Sequence, residues 1–158
     1  MGRNSPSDQS AGSVVEQVRG LYETFPYPAT FRDGAGRGVR ANNYLPAIDH
    51  YIFNGAGDFS RPMRFLIAGC GTGDALIDLG AQVLANDLAV EFLAVDLSWK
   101  SLDIARGRAA DIGLTNVQFE CRRLEDMSPA ADGLFDYVDC NGVLHHLEDP
   151  AAGLDALV

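Results

Sequence analysis

Positive charge is scarce in this chain. Its 158 residues carry 12 Lys and Arg against 22 Asp and Glu, a formal net charge of −10. Nucleic-acid binding ordinarily rests on a basic stripe that releases counterions from phosphates. The nearest approach to one is Arg37 and Arg40, then Arg61 and Arg64, with Arg122 and Arg123 far downstream. No nucleic-acid partner is expected. Cysteine is sparse too. Cys70, Cys121 and Cys140 are odd in number, lie in or beside apolar segments and form no CxxC pair. They read as reduced, buried thiols, with no metal site among them. No apolar run approaches the roughly 18 residues of a membrane span, so no membrane partner is expected either. The first dozen residues, "MGRNSPSDQSAG", lack the apolar core of a signal peptide and read as a disordered leader. The expectation is a cytoplasmic protein whose length allows one domain with a real core.

What the sequence does have is a change of rhythm near residue 61. Before it, "SVVEQVRGLYETFP" spaces Val15, Val18, Leu21, Tyr22 and Phe25 helically, with Ser13 and Glu16 placed as a capping box and Pro26 as a stop. A turn-rich loop follows. "LPAIDHYIFN" then predicts a short helix with Ile48, Tyr51 and Ile52 on one side and Gly55 as its C-cap. Residues 13–60 read as a helical attachment, in which the stretch from Tyr22 to Asn43 is either a lid or a helix stapled to the sheet.

From residue 61 onward strands and helices alternate. "RFLIA", "FLAVD", "NVQFEC" and "FDYVDCN" are strand-like. Between them lie a helix carrying Leu76, Leu79 and Val83 on one face and another, capped by Ser98, carrying Leu102, Ala105, Ala109 and Ile112. "DPAAGLDALV" starts one more helix. Alternation of this kind predicts an α/β fold with a mostly parallel sheet flanked by helices.

In an open parallel sheet, ligands sit at the carboxyl ends of the strands. "FLIAGCGTGDA", residues 65–75, places Gly69, Gly71 and Gly73 there. A phosphate-cradling loop needs Lys and then Ser or Thr after its last glycine; Asp74 and Ala75 follow here, and that reading fails. A dinucleotide fingerprint requires glycine at position 74. It is weakened by Asp74 but survives, because the acid ending the second strand, Asp96, suits any ribose.

The chain resembles the class I S-adenosylmethionine-dependent methyltransferases. The matching stretches are "IAGCGTGDAL" at 67–76, "LAVDLSWKSLDIAR" at 93–106 and "FDYVDCNGVLHHLEDP" at 135–150. The last of these, with "YETFPYP" at 22–28, is most similar to methyltransferase domains joined to tetratricopeptide repeats. The resemblance implies a Rossmann-like methyltransferase fold with S-adenosyl-L-methionine as cofactor. Gly69, Cys70, Gly71 and Gly73 would receive its methionine end, Asp96 its ribose and Leu97 its adenine. After the third strand the family commonly has a Gly-Asp pair; this chain has Arg122 and Arg123. The adenine amino contact would then fall to Glu125, Asp126 or the backbone of Leu124. Asn141 would lie beside the cofactor, and His145 or His146 could act as general base toward a hydroxyl acceptor.

The expected function is methyl transfer to a small-molecule acceptor. An NAD(P)-dependent oxidoreductase and a non-catalytic cofactor-binding fragment are the alternatives. The family's sheet has seven strands and four are identifiable here. Residues 61–158 therefore read as a partial, C-terminally shortened domain, its fourth strand an edge open to pairing with another chain.

Overall fold

The computed structural model describes residues 13–27 and 43–158. The expected leader, residues 28–42 of the expected lid, Arg37 and Arg40 lie outside the described residues.

The sheet has four parallel strands: β1 (Met63–Ala68), β2 (Val90–Asp96), β3 (Val117–Cys121) and β4 (Tyr137–Asp139), in the order β3-β2-β1-β4. The chain steps outward from β1 to β3, then returns to lay β4 on the other side of β1. The strand order therefore reverses between β1 and β4, and a crevice opens there at the carboxyl ends. β1 and β2 are apolar on both faces, as central parallel strands must be. Phe65 and Ile67 of β1 point into one core layer, with Leu76, Leu79, Leu102 and Ala105; Leu66 and Ala68 point into the other, with Leu93, Val95, Leu124 and Met127. This is the period-two alternation of a strand.

Two long helices cover the first layer. α3 (Asp74–Ala85) buries Leu76, Leu79 and Val83, the face its spacing predicts. α4 (Trp99–Asp111) starts at Ser98, whose Oγ accepts the Ser101 N–H, and buries Leu102, Ala105 and Ala109. The other layer is closed by α5 (Pro129–Asp132) and α6 (Pro150–Asp155), the latter capped by Asp149. Single 3-10 turns occur at Leu124–Asp126 and Leu144–His146.

Ahead of the sheet, α1 (Val14–Thr24) carries both hydrogen bonds of the Ser13–Glu16 capping box. α2 (Leu45–Ile52) differs from its expected orientation. Leu45 and Ile48 enter the main core, whereas Tyr51 and Ile52 are exposed. The buried face is confined to Leu45 and Ile48, in the first half of the helix. Its C-cap is Phe53; Asn54 and Gly55 follow with positive φ, and the Gly55 N–H returns to the Asp49 carbonyl. The arginines nearest to a basic cluster are engaged with acids or carbonyls. Arg61 pairs with Asp136, Arg64 donates to the carbonyls of Asp132 and Leu134, Arg122 pairs with Glu120 and Asp132, and Arg123 pairs with Glu125.

Candidate active site

A cavity of about 230 Å³ occupies the crevice between β1 and β4. Its floor is the turn after β1, with Gly69, Cys70 and Gly71, and its walls are Asp96 and Leu97 after β2 and Asp139 and Asn141 after β4. Tyr22, Tyr27 and Asn43 close it from the N-terminal side.

Asp96 is fixed by backbone donors. Its Oδ2 accepts the Gly71 N–H at 2.8 Å and its Oδ1 the Ser98 N–H at 2.9 Å. A carboxylate offers about four acceptor positions, so these backbone donors leave room for a ligand hydroxyl. Burial pushes the Asp96 carboxyl above its ordinary range, while the N–H groups of Ser98, Gly71 and Leu97 pull it back. Burial also raises Asp139, which is buried at the end of β4. Asp74 opens α3 and pairs with Arg108 of α4 at 2.8 Å. Three carboxylates thus line the cavity, and no Lys or Arg does among the described residues.

The three glycines differ in their work. Gly69 has φ +67° and faces the cavity, and a Cβ there would run into the Val143 side chain. Its bareness lets the turns after β1 and β4 meet. Gly73 is buried away from the cavity, and a Cβ on it would lie 3.0 Å from that of Ala105, so it serves the packing of α3 on α4. Gly71 is the one whose N–H braces Asp96.

The 3-10 turn after β4 separates the two histidines. His146 lines the cavity and its Nε2 lies 3.0 Å from the Tyr22 hydroxyl, whereas His145 is exposed and reaches only an outer groove. Their rings are 3.9 Å apart, tilted by 42°. Leu124 and Glu125 do not join the cavity. The Leu124 side chain is buried in the second core layer, and the Glu125 carboxylate is held by Arg123 at 2.8 Å. Asp126 is exposed outside it.

Two lining residues carry no local signal in the sequence. Asn43 is buried. Its Nδ2 donates to Asp78 at 3.2 Å and its carbonyl accepts from Gln82 at 2.7 Å, but its Oδ1 has no partner among the described residues. Asp139 lies inside the strand segment "FDYVDCN", where a second acid, Asp136, is its near neighbour and nothing local tells the two apart.

Fold and cavity together define an open α/β protein with a cavity at the switch point of its sheet. The chain belongs to the methyltransferase family whose model, described as methyltransferase domain, matches residues 65–157. An uncharacterised protein of Synechococcus sp. is 35% identical over 148 residues, covering 92% of this chain and 34% of that protein. A ubiquinone biosynthesis O-methyltransferase of Neisseria meningitidis serogroup C is 35% identical over 92 residues, covering 58% of this chain and 37% of that enzyme. The chain thus spans about a third of the length of these curated relatives. Among solved structures, the magnesium protoporphyrin IX methyltransferase of Synechocystis PCC 6803, with bound SAH, shares the fold. Its TM-score is 0.57 at 21% identity, over 91% of this chain and 66% of that one.

Proposed function

We propose that the cavity holds S-adenosylmethionine and that the protein transfers its methyl group to a small-molecule hydroxyl. One observation carries the cofactor assignment: three carboxylates and no Lys or Arg line the cavity among the described residues. Such a lining suits a ligand bearing ammonium and sulfonium charges. It opposes the phosphates of a nicotinamide dinucleotide, which that alternative would have to seat beside Asp74 and Asp96. The Asn43 Oδ1, without a partner among the described residues, and the Asp139 carboxylate are acceptors suited to the ammonium. Asp96 would accept from the ribose, and Leu97 and Ile67 supply apolar wall.

When bound, the cofactor supplies a methyl group already activated by its sulfonium. The protein's part is to hold acceptor and methyl in line, an arrangement that contributes roughly 7–11 kcal/mol. His146 lines the cavity and would be the histidine that receives a proton. The hydroxyl reading accords with the O-methyltransferase named among the relatives. The finer kinship with methyltransferase domains joined to tetratricopeptide repeats rests on residues 22–28 and 135–150 alone.

Thermal unfolding with saturating S-adenosylmethionine or NAD tests the assignment. The expected result is a rise in Tm with the former only, since a ligand at about 100 times its Kd stabilises by roughly 2.7 kcal/mol. A rise with NAD alone would reverse the choice of cofactor.

A further inference from the structure

Beside the cofactor cavity runs a second, more open depression of about 450 Å³, bounded by Leu21, Phe25 and Tyr27 and by His145. The two share Tyr22, Tyr27, Gly142 and His146. Leu21, Phe25 and Tyr27 expose 52%, 68% and 66% of their surface, an unusual concentration of bare apolar groups within seven residues of an acidic chain. At the partition between cavity and groove stands the Tyr22–His146 pair, hydrogen-bonded at 3.0 Å with its rings edge to face.

We infer that this groove is the acceptor site for a flat, uncharged aromatic alcohol, and that Tyr22 and His146 form the relay that removes its hydroxyl proton. The inference rests on the cofactor assignment above. Aromatic and aliphatic walls favour a planar ring by stacking and area burial. Neither Lys nor Arg bounds the groove among the described residues, and an anionic acceptor would meet an acidic protein. A neutral hydroxyl needs a base as it attacks, and His146 stands at the partition to receive its proton.

The steps balance as follows. The acceptor oxygen bonds to the methyl carbon while the carbon–sulfur bond breaks and its electron pair stays on sulfur. The acceptor's proton passes to the Tyr22 hydroxyl oxygen as the Tyr22 proton passes to Nε2 of His146. Tyr22 ends neutral and His146 ends as imidazolium, which later releases its proton to water. Burial, with Asp96 and Tyr27 adding to it, raises the Tyr22 phenol, so a concerted hand-over is favoured over a free tyrosinate. Burial and the neighbouring His145 lower His146, which keeps it unprotonated and receptive at neutral pH.

The test uses the full chain with 2-naphthol as probe, after titration with S-adenosylmethionine. Binding of 2-naphthol is followed by its fluorescence and transfer by mass of the methyl ether. Phe25→Ala, at an exposed position, is expected to weaken 2-naphthol binding about fivefold. Tyr22→Phe is expected to lower kcat about a hundredfold with KM held within about twofold. His146→Gln should do the same, and the double variant should be no worse than either single one, because both break one relay. Unchanged 2-naphthol affinity in Phe25→Ala would overturn the groove assignment. Full kcat in a folded Tyr22→Phe would overturn the relay. Cofactor binding with no transfer to 2-naphthol would overturn the acceptor class, whereas failure of the wild type to bind S-adenosylmethionine would instead remove the reading on which it rests.

Discussion

Two backbone N–H groups and a strand end hold Asp96 before any ligand arrives, and the same economy marks the histidine across the cavity. His146 is half-buried and its ring faces Tyr22 of α1 and His145 of its own turn. Asp96 and Asp139 share the cavity and would raise its pKa, but burial and His145 prevail and hold it below the ordinary imidazole value of 6.5. The sign for activity follows. A base must be unprotonated, so transfer persists below pH 6.5 and is lost as pH falls through the lowered value. The acid limb of kcat/KM should therefore have its midpoint below about 6.5, and should vanish from the residual activity of His146→Gln. A limb centred above 6.5 that survives this substitution belongs to another group.

At the scale of elements, the site depends on two turns meeting. Gly69, after β1, leaves the space that Val143, after β4, fills. Gly69→Ala would force both a positive φ on alanine and a clash with Val143, at a cost of about 1–3 kcal/mol. It is expected to lower Tm and cofactor affinity together. Val143→Ala in the same chain should recover the packing part of the loss but not the backbone part. Denaturant titration of the single and double variants checks this; strictly additive losses would mean that the two turns are not coupled.

How far such elements were legible in the sequence follows from the range of their contacts. α3, α4 and the first three strands announce themselves, because periodicity, Ser98 and Gly113 are local signals. Asp96 and the cavity's place at the strand ends follow from topology alone. The role of Gly69 was not legible, since Val143 lies across the fold and only packing joins them. The surroundings of Leu124 and Glu125 are hidden for a similar reason. Nothing near them in the sequence tells that Leu124 turns into the core or that Arg123 ties down Glu125. Asn43 reaches the cavity only because α2 is anchored on α3, where Gln82 accepts the Leu45 N–H and holds the Asn43 carbonyl.

On the scale of the whole molecule, charge and topology act in one direction. A net charge of −10 attracts a cationic ligand and repels a phosphate-bearing one, and the fold converts that general bias into three carboxylates at one crevice. β3 and β4 are the sheet's outer strands, and β4 pairs with β1 over only three residues, Tyr137 to Asp139. The part of the sheet that meets the ligand is nevertheless central, since β1 and β2 are paired on both sides. The binding site can therefore be probed in this chain as it stands. The most direct measurement is calorimetric titration of S-adenosylmethionine into the wild type and into Asp96→Ala. Charge-assisted hydrogen bonds contribute roughly 1.5–3 kcal/mol, so the substitution should weaken binding about ten- to a hundredfold at unchanged stoichiometry. Equal affinities for the two proteins would contradict the placement of the cofactor against Asp96.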